Sequence, residues 1–191
     1  MENVMQSGKI LILNGASSSG KTSLARALQD TLAEPYLEAG LDKFIWMLPR
    51  RYLERPLWDD VLGLAVESGE TGRRLVSGMH AALLALALDG WNVIADHVLV
   101  EREWVLECAG MFAELPAYLI AVRCPLEVLV EREKQRRDRT LGQAAAQFER
   151  VHNHGNYDFE VDTSRSSPQE AARQIAAFLE TNPPPRALRQ I

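Results

Sequence analysis

Short apolar runs alternate along this chain with longer segments in which apolar residues recur at helical spacing. Five runs of strand length predict β-strands, over Ile10–Asn14, Tyr36–Glu38, Trp91–Asp96, Ala117–Arg123 and Phe159–Asp162. Six segments predict helices, over Thr22–Leu32, Leu75–Leu88, Glu101–Met111, Pro125–Arg137, Leu141–Val151 and Pro168–Leu179. The alternation predicts a three-layer α/β fold, with a central parallel sheet of about five strands and helices on both faces.

The same pattern predicts one domain over residues 1–180. Residues 41–71 interrupt the alternation and are rich in Trp, Met, Pro and Arg. We interpret them as an insert that forms an aromatic-lined substrate pocket, although ordinary core packing uses the same residue types. Residues 181–191 contain Pro183–Pro185 and are expected to form a flexible tail on the surface.

Composition narrows the class of protein. The 191 residues suit one domain, and 47% hydrophobic and 25% charged residues are typical of a globular protein. A net charge of −5 argues against nucleic acid as the main partner. No apolar run is long enough to cross a membrane, and the start of the chain lacks a signal-peptide pattern. Cys108 and Cys124 lie in apolar patterns, which predicts reduced core residues of a cytoplasmic protein. A homo-oligomer is left open.

Residues Gly15–Thr22 (GASSSGKT) follow the first predicted strand and match the phosphate-binding P-loop pattern G-x-x-x-x-G-K-[ST]. The two glycines let the backbone approach a phosphate without a Cβ in the way, and the loop amides and helix N-terminus donate to it. We expect Lys21 to reach the β- and γ-phosphates and Thr22 to bind Mg²⁺. Ser17 and Ser18 are interpreted as small loop filler. The predicted nucleotide site comprises Gly15, Ala16, Ser17, Ser18, Ser19, Gly20, Lys21, Thr22 and Ser23.

Two aspartates follow predicted strands, at the edge of the sheet where ligands bind in such folds. Asp96 ends the apolar strand WNVIAD, a pattern that places a carboxylate beside Mg²⁺; a helix cap is the alternative. Asp42 follows Gly40 just past the second strand. Its carboxylate can take the proton of a hydroxyl that attacks the γ-phosphate, or it can cap a helix over Lys43–Leu48. His97 could contact the substrate or satisfy a loop hydrogen bond, and we favour the second interpretation slightly.

A basic segment predicts a lid over about residues 132–147. Arg132, Arg136 and Arg139 are spaced by four and three residues, so on one helix they fall within about 60° of one another, while Arg137 points away. Three guanidinium groups on one face match the phosphate charge that phosphoryl transfer must neutralise. The alternative is a solvated helix face, with Glu131, Glu133 and Asp138 as charge partners.

Several P-loop classes fit the chain poorly. It lacks the N-K-x-D motif of GTPases, and its third strand ends Asp96-His97 without the acidic pair of motor ATPases. A short P-loop domain with a basic lid and one insert is typical of small-molecule and nucleotide kinases. Within that class the chain resembles the chloramphenicol phosphotransferase family over about Ile10 to Leu179. The resemblance rests on residues 12–22, 34–42, 94–98, 122–124, 132–139 and 157–163.

The resemblance implies a kinase-like fold that uses ATP and Mg²⁺ to phosphorylate the primary hydroxyl of chloramphenicol. It places the catalytic aspartate of the family on Asp42, its P-loop lysine on Lys21, and its lid arginines on Arg136 and Arg139. Two departures concern the acceptor. The resistance enzyme of the family has a second aspartate where this chain has His97, and residues 41–71 match poorly outside Asp42 and the MLP sequence at 47–49.

These observations together predict an ATP-dependent O-phosphotransferase that acts on a small-molecule hydroxyl, with chloramphenicol as the leading acceptor. A kinase for a nucleotide, nucleoside or other metabolite is the alternative enzyme. An ATP-binding regulatory protein without turnover is the alternative of another class. Asp42 and the arginine face favour catalysis, because a protein that only binds ATP needs neither.

Overall fold

A computed structural model describes residues 6–52, 69–135 and 141–191 of the chain. The described strands form one parallel sheet in the order β2-β3-β1-β4-β5. Four strands have the predicted bounds, and β3 is displaced by one residue. The strands are β1 Ile10–Asn14, β2 Tyr36–Glu38, β3 Asn92–His97, β4 Ala117–Arg123 and β5 Phe159–Asp162.

All six predicted helices are present, together with a short helix in the segment that the sequence left unassigned. The helix predicted at Leu75–Leu88 begins five residues earlier, and the helix predicted at Leu141–Val151 is shorter at both ends. The described helices are α1 Lys21–Thr31, α2 Leu41–Ile45, α3 Glu70–Leu88, α4 Arg102–Phe112, α5 Leu126–Gln135, α6 Gln143–Phe148 and α7 Pro168–Glu180, with 3₁₀ turns at Arg50–Tyr52 and Leu188–Gln190.

Side chains of β1 alternate between two cores, one on each face of the sheet. Ile10 and Ile12 pack with residues of α3 and α4, whereas Leu11 and Leu13 pack with residues of α1 and α7. All five residues of β1 are buried, as expected for a central parallel strand. The predicted three-layer α/β architecture is therefore confirmed.

The register of the sheet brings the ends of two strands together. Leu13 of β1 lies opposite Asp96 of β3, and Asn14 lies opposite His97. The P-loop therefore starts beside the last residues of β3. The Asn14 side chain is almost fully buried. It donates to the Val151 carbonyl at 2.7 Å and accepts from the Leu99 amide at 2.8 Å, which fixes the chain just before the loop.

The predicted flexible tail instead packs on the domain in its second half. Ala187 and Leu188 are buried in the core that contains α3 and α4. The Asp158 carboxylate accepts hydrogen bonds from the Arg186 and Ala187 amides at 2.7 and 3.0 Å. The three prolines at 183–185 predicted a frayed end, but Ala187 and Leu188, which follow them, are buried against the domain.

Two further expectations concern cysteines and membranes. Cys108 and Cys124 are buried free thiols, as predicted, and burial raises the pKa of both. Within the described ranges, no helix has the length and apolar character needed to cross a membrane.

Candidate active site

The P-loop makes a tight turn between β1 and α1. A Cβ at Gly15 would lie 2.6 Å from the Val122 carbonyl oxygen and 2.7 Å from Ser19 Oγ, so a larger residue does not fit. Gly20 has a φ of 91° and Ser18 a φ of 64°, both in the left-handed region. The hydroxyls of Ser18 and Ser19 are buried and have no hydrogen-bond partner among the described residues. Buried orphan donors in a glycine-cradled loop fit phosphate oxygens.

Lys21 is the first residue of α1, and its side chain is folded back over the loop. Its Nζ donates to the Ala16 carbonyl oxygen at 2.9 Å and lies 3.7 Å from Asp96 Oδ1. Only 7% of the Lys21 side chain and 16% of the Asp96 side chain are exposed. A cation in so little water interacts strongly with any phosphate that the loop binds.

Thr22 and Asp96 meet at one point beside this lysine. The Thr22 hydroxyl donates to Asp96 Oδ2 at 2.7 Å. Burial raises the pKa of Asp96, and the Lys21 ammonium and the Thr22 hydrogen bond oppose that rise. Asp96 does not cap α4, whose N-cap is Glu101, so the alternative role is excluded. A hydroxyl and a carboxylate at one point suit Mg²⁺, which prefers oxygen ligands.

Asp42 comes to the same edge from β2. The chain passes so close to β3 at Gly40 that a Cβ there would lie 2.8 Å from the Asp96 Cβ. Asp42 lies two residues further on, half-buried in the first turn of α2, and its charge raises the pKa of Asp96. The N-cap of α2 is Gly40, so the alternative of Asp42 as the cap is wrong.

Arg132 of α5 lies against the other side of the loop. Its Nη2 donates to the Thr163 carbonyl at 2.7 Å and its Nη1 to the Thr163 hydroxyl at 3.2 Å. That hydroxyl donates in turn to the Ser19 carbonyl at 2.7 Å, and a Cβ at Gly20 would lie 3.8 Å from Arg132 Nη1. The structure therefore places Arg132 at the P-loop. Arg136, Arg137 and Arg139 lie outside the described residues, and their predicted roles stay predictions.

The alternative interpretation of this helix requires Glu133 to be a solvent-exposed charge partner of the arginines. The structure shows a different role for Glu133. Its side chain is buried, and its carboxylate accepts hydrogen bonds from the Gly142 and Ala144 amides at 2.8 Å each. It therefore caps α6 and joins that helix to α5. A charge pattern along a helix does not reveal such a contact, because its partners are backbone groups.

His97 points away from the phosphate side. Side chains alternate along a strand, so Asp96 faces α1 while His97 faces α3 and α4. The Val98 amide donates to His97 Nδ1 at 2.8 Å, which leaves the proton of the neutral ring on Nε2, facing His80 Nε2 at 2.8 Å. His80 Nδ1 then donates to Glu107 at 2.9 Å. Burial lowers the pKa of both histidines. The interpretation of His97 as a hydrogen-bonded residue is confirmed.

Three residues of this edge escaped the sequence analysis. Glu38 ends β2, and its charge raises the pKa of Asp96. Thr163 follows β5 directly. The rule that ligands bind at the carboxyl ends of strands could have found both. Gln147 of α6 accepts a hydrogen bond from the Ser17 amide at 2.7 Å, and no sequence signal marks it. The bond uses the Ser17 backbone amide, so the interpretation of the Ser17 side chain as loop filler stays a prediction.

Large apolar side chains are exposed next to Asp42. Trp46 is 66% and Met47 67% exposed, just past the end of α2, while Ile45 is fully buried beneath them. Phe44 packs against the core that contains α3 and α4, whereas Trp58 and Leu62 of the predicted insert lie outside the described residues. The described part thus offers an open apolar surface beside a carboxylate.

Comparisons with known proteins agree with this geometry. The model of the family described as "chloramphenicol phosphotransferase-like protein" matches residues 8–180. A Mycobacterium tuberculosis protein, named as a proposed O-phosphotransferase in strains H37Rv and CDC 1551, is 34% identical over 200 residues. That alignment covers 98% of this chain and 89% of the relative.

Solved structures share the fold at lower identity. A sugar kinase from Janibacter superposes with a TM-score of 0.69 and 16% identity, covering 91% of this chain and 95% of that one. APS kinase of M. tuberculosis, in complex with AMPPNP and APS, superposes with a TM-score of 0.66 and 18% identity, covering 92% of this chain and 99% of that one. The tunicamycin resistance protein of Deinococcus radiodurans superposes with a TM-score of 0.61 and 17% identity, covering 90% of this chain and 95% of that one. These likenesses show a P-loop kinase fold. With the family match over most of its length, this chain belongs to the chloramphenicol phosphotransferase-like family.

Proposed function

We propose that the protein is an ATP-dependent O-phosphotransferase that moves the γ-phosphoryl group of ATP to a hydroxyl of a small molecule. The observation that carries the proposal is the meeting of a P-loop lysine, a Thr–Asp pair and the Asp42 carboxylate of α2 at one edge of the sheet. A protein that only binds nucleotide has no use for the Asp42 carboxylate. Family membership and the O-phosphotransferase name of the relatives support the same activity.

The phosphate side of the site would bind and orient ATP. The loop amides and the buried Ser18 and Ser19 hydroxyls would donate to phosphate oxygens, and Lys21 would supply a positive charge where negative charge develops. Thr22 and Asp96 would hold Mg²⁺, which when bound neutralises phosphate charge. Arg132, anchored on Thr163, closes the opposite side of the loop.

Asp42 would act as the general base. The acceptor hydroxyl gives its proton to the Asp42 carboxylate as its oxygen bonds to the γ-phosphorus, and the bond from that phosphorus to the β–γ bridging oxygen breaks to release ADP. The position of Asp42 beside Asp96 supports this role, because the acceptor hydroxyl must lie close to the metal-bound phosphate.

Chloramphenicol or a related molecule with a primary hydroxyl is the proposed acceptor. Family membership supports it, and so do the exposed Trp46 and Met47, which offer apolar contact beside the proposed base. His97 does not weigh against this acceptor. It stands where the resistance enzyme has an aspartate, but it is buried among α3 and α4 and faces away from the site.

An ATP-consumption screen tests the proposal. Purified protein with Mg·ATP is offered chloramphenicol, nucleosides, sugars and aminoglycosides, and ADP and the phosphorylated product are measured. We expect turnover with chloramphenicol and none with chloramphenicol whose primary hydroxyl is acetylated. Turnover with another class of compound, and not with chloramphenicol, would make that class the acceptor in place of chloramphenicol. Tight binding of Mg·ATP without transfer to any acceptor would instead indicate a regulatory protein.

A further inference from the structure

Gln147 makes a direct contact with the P-loop from a helix that lies outside the motif. Its Oε1 accepts a hydrogen bond from the Ser17 amide at 2.7 Å. Gln147 and Ser17 are only 6% and 7% exposed, so little water reaches the bond. A buried donor that loses its acceptor costs more than an average hydrogen bond contributes. The Ser17 amide therefore depends on Gln147 in this arrangement.

The Ser17 N–H and the Ala16 carbonyl belong to one peptide group. The Ala16 oxygen accepts from Lys21 Nζ at 2.9 Å and from the Ser19 amide at 3.2 Å. Because a peptide group is planar, a partner that orients its N–H also orients its carbonyl. Gln147 therefore binds the N–H, and the Lys21 ammonium binds the carbonyl, of the same planar peptide group.

The helix that carries Gln147 is itself firmly held. The buried Glu133 carboxylate accepts from the Gly142 and Ala144 amides at 2.8 Å each, which fixes the start of α6 to α5. Arg132, the neighbour of Glu133 in α5, bonds to Thr163 and through it to the Ser19 carbonyl. The helix pair α5 and α6 therefore contacts the P-loop directly at Ser17 and, through Thr163, at Ser19.

We propose that Gln147 is a positioning residue for phosphoryl transfer. By holding the Ser17 amide, it orients the Ala16–Ser17 peptide and so places the ammonium of Lys21 relative to the transferring phosphate. The inference rests on the phosphotransferase function proposed above. Its effect falls on kcat, because misplacing a catalytic group by about 1 Å can cost on the order of 10²-fold in rate.

Gln143 provides a matched control on the same helix. It lies one turn before Gln147 and is also buried, but its Oε1 accepts no hydrogen bond from the described residues. Gln143→Met and Gln147→Met therefore make the same chemical change in the same helix, and only Gln147→Met removes an acceptor from the P-loop.

The first measurement follows the Ser17 amide directly, by ¹⁵N NMR and hydrogen exchange of the whole protein. We expect exchange at Ser17 to be at least about tenfold faster in Gln147→Met and unchanged in Gln143→Met. Gln147→Glu keeps an acceptor at the same reach and should restore protection.

The second measurement is Mg·ATP turnover, with water or with the acceptor that the screen identifies. Gln147→Met should lower kcat by about tenfold or more and change the KM for ATP by less than about threefold, while Gln143→Met stays near wild type. Gln147→Glu should recover most of kcat at saturating ATP, with a higher KM because its carboxylate repels the phosphates.

Three results would overturn the positioning role alone. Equal losses in the two methionine variants would mean that α6 acts through packing alone. Faster exchange at Ser17 with unchanged kcat would break the link to Lys21. A Gln147→Met enzyme equal to wild type in both measurements would remove the role entirely. A wild-type protein that neither hydrolyses ATP nor transfers its phosphate would overturn the phosphotransferase function, and the positioning role with it.

Discussion

The phosphate side and the acceptor side of the site are built in opposite ways. On the phosphate side, Lys21, Thr22 and Asp96 are at least half-buried and bond to one another or to the backbone. On the acceptor side, Trp46 and Met47 follow a five-residue helix with about two-thirds of each side chain exposed. One side is fixed by the sheet, and the other is an open surface.

The difference follows from where the residues are anchored. The phosphate side uses the ends of β1, β3 and β5, which the central sheet holds in register. The acceptor side uses α2, which is attached to the edge strand β2. Elements at a sheet edge can vary without disturbing the core, so a family can keep one transfer chemistry while its acceptors change.

The largest effect should come from Lys21→Ala. It removes the buried cation that faces the transferring phosphate, and we expect kcat to fall by about 10³-fold or more. Circular dichroism and thermal melting should show that the fold survives, since the ammonium contacts the P-loop and Asp96 rather than either apolar core. Turnover at the wild-type rate would refute the P-loop assignment.

Asp42→Asn should lower kcat by about 10²-fold or more, because the amide keeps the shape of the side chain but cannot take a proton. The dissociation constant of Mg·AMP-PNP should change little, which calorimetry can measure. A loss below about tenfold would speak against general-base catalysis. A large loss of nucleotide affinity would place Asp42 on the phosphate side instead.

The lid arginines should come next. Arg136→Ala and Arg139→Ala should each lower kcat by about tenfold or more, and more than Arg137→Ala, because the predicted helix would place the first two on one face with Arg132. Steady-state kinetics of the three single variants compares them directly. Small and equal effects at all three positions would show a solvated face and no lid.

Trp46→Ala should have the smallest effect and the most selective one. Loss of an exposed aromatic surface beside Asp42 should raise the KM for the acceptor by roughly three- to tenfold and leave the KM for ATP unchanged. Trp91→Ala is the control, since Trp91 is also exposed but precedes β3, at the opposite end of the sheet. A change in the KM for ATP would show that Trp46 also affects nucleotide binding, and the phosphate side and the acceptor side would then not be separate.

Much of the fold and part of the site could be predicted from the sequence because their signals are local. Strand-length apolar runs gave four strands their bounds, and the glycines and lysine of the P-loop lie within eight consecutive residues. The position of Asp96 followed from a second local pattern. Parallel strands then bring such residues to one edge, which is a general property of the fold and needs no knowledge of side-chain packing.

Contacts between distant segments were decided by the tertiary structure alone. The bond from Ser17 to Gln147 spans 130 positions of the chain, and that from Ser19 to Thr163 spans 144. The buried chain from His97 through His80 to Glu107 joins a strand to two helices. Periodicity tells which face of an element is apolar, but it does not tell which polar groups will meet when those faces pack. That depends on the register of the sheet and the docking of each helix. The sequence therefore determined which residues form the proposed phosphate site. The packing of distant segments decided which contacts hold those residues in place.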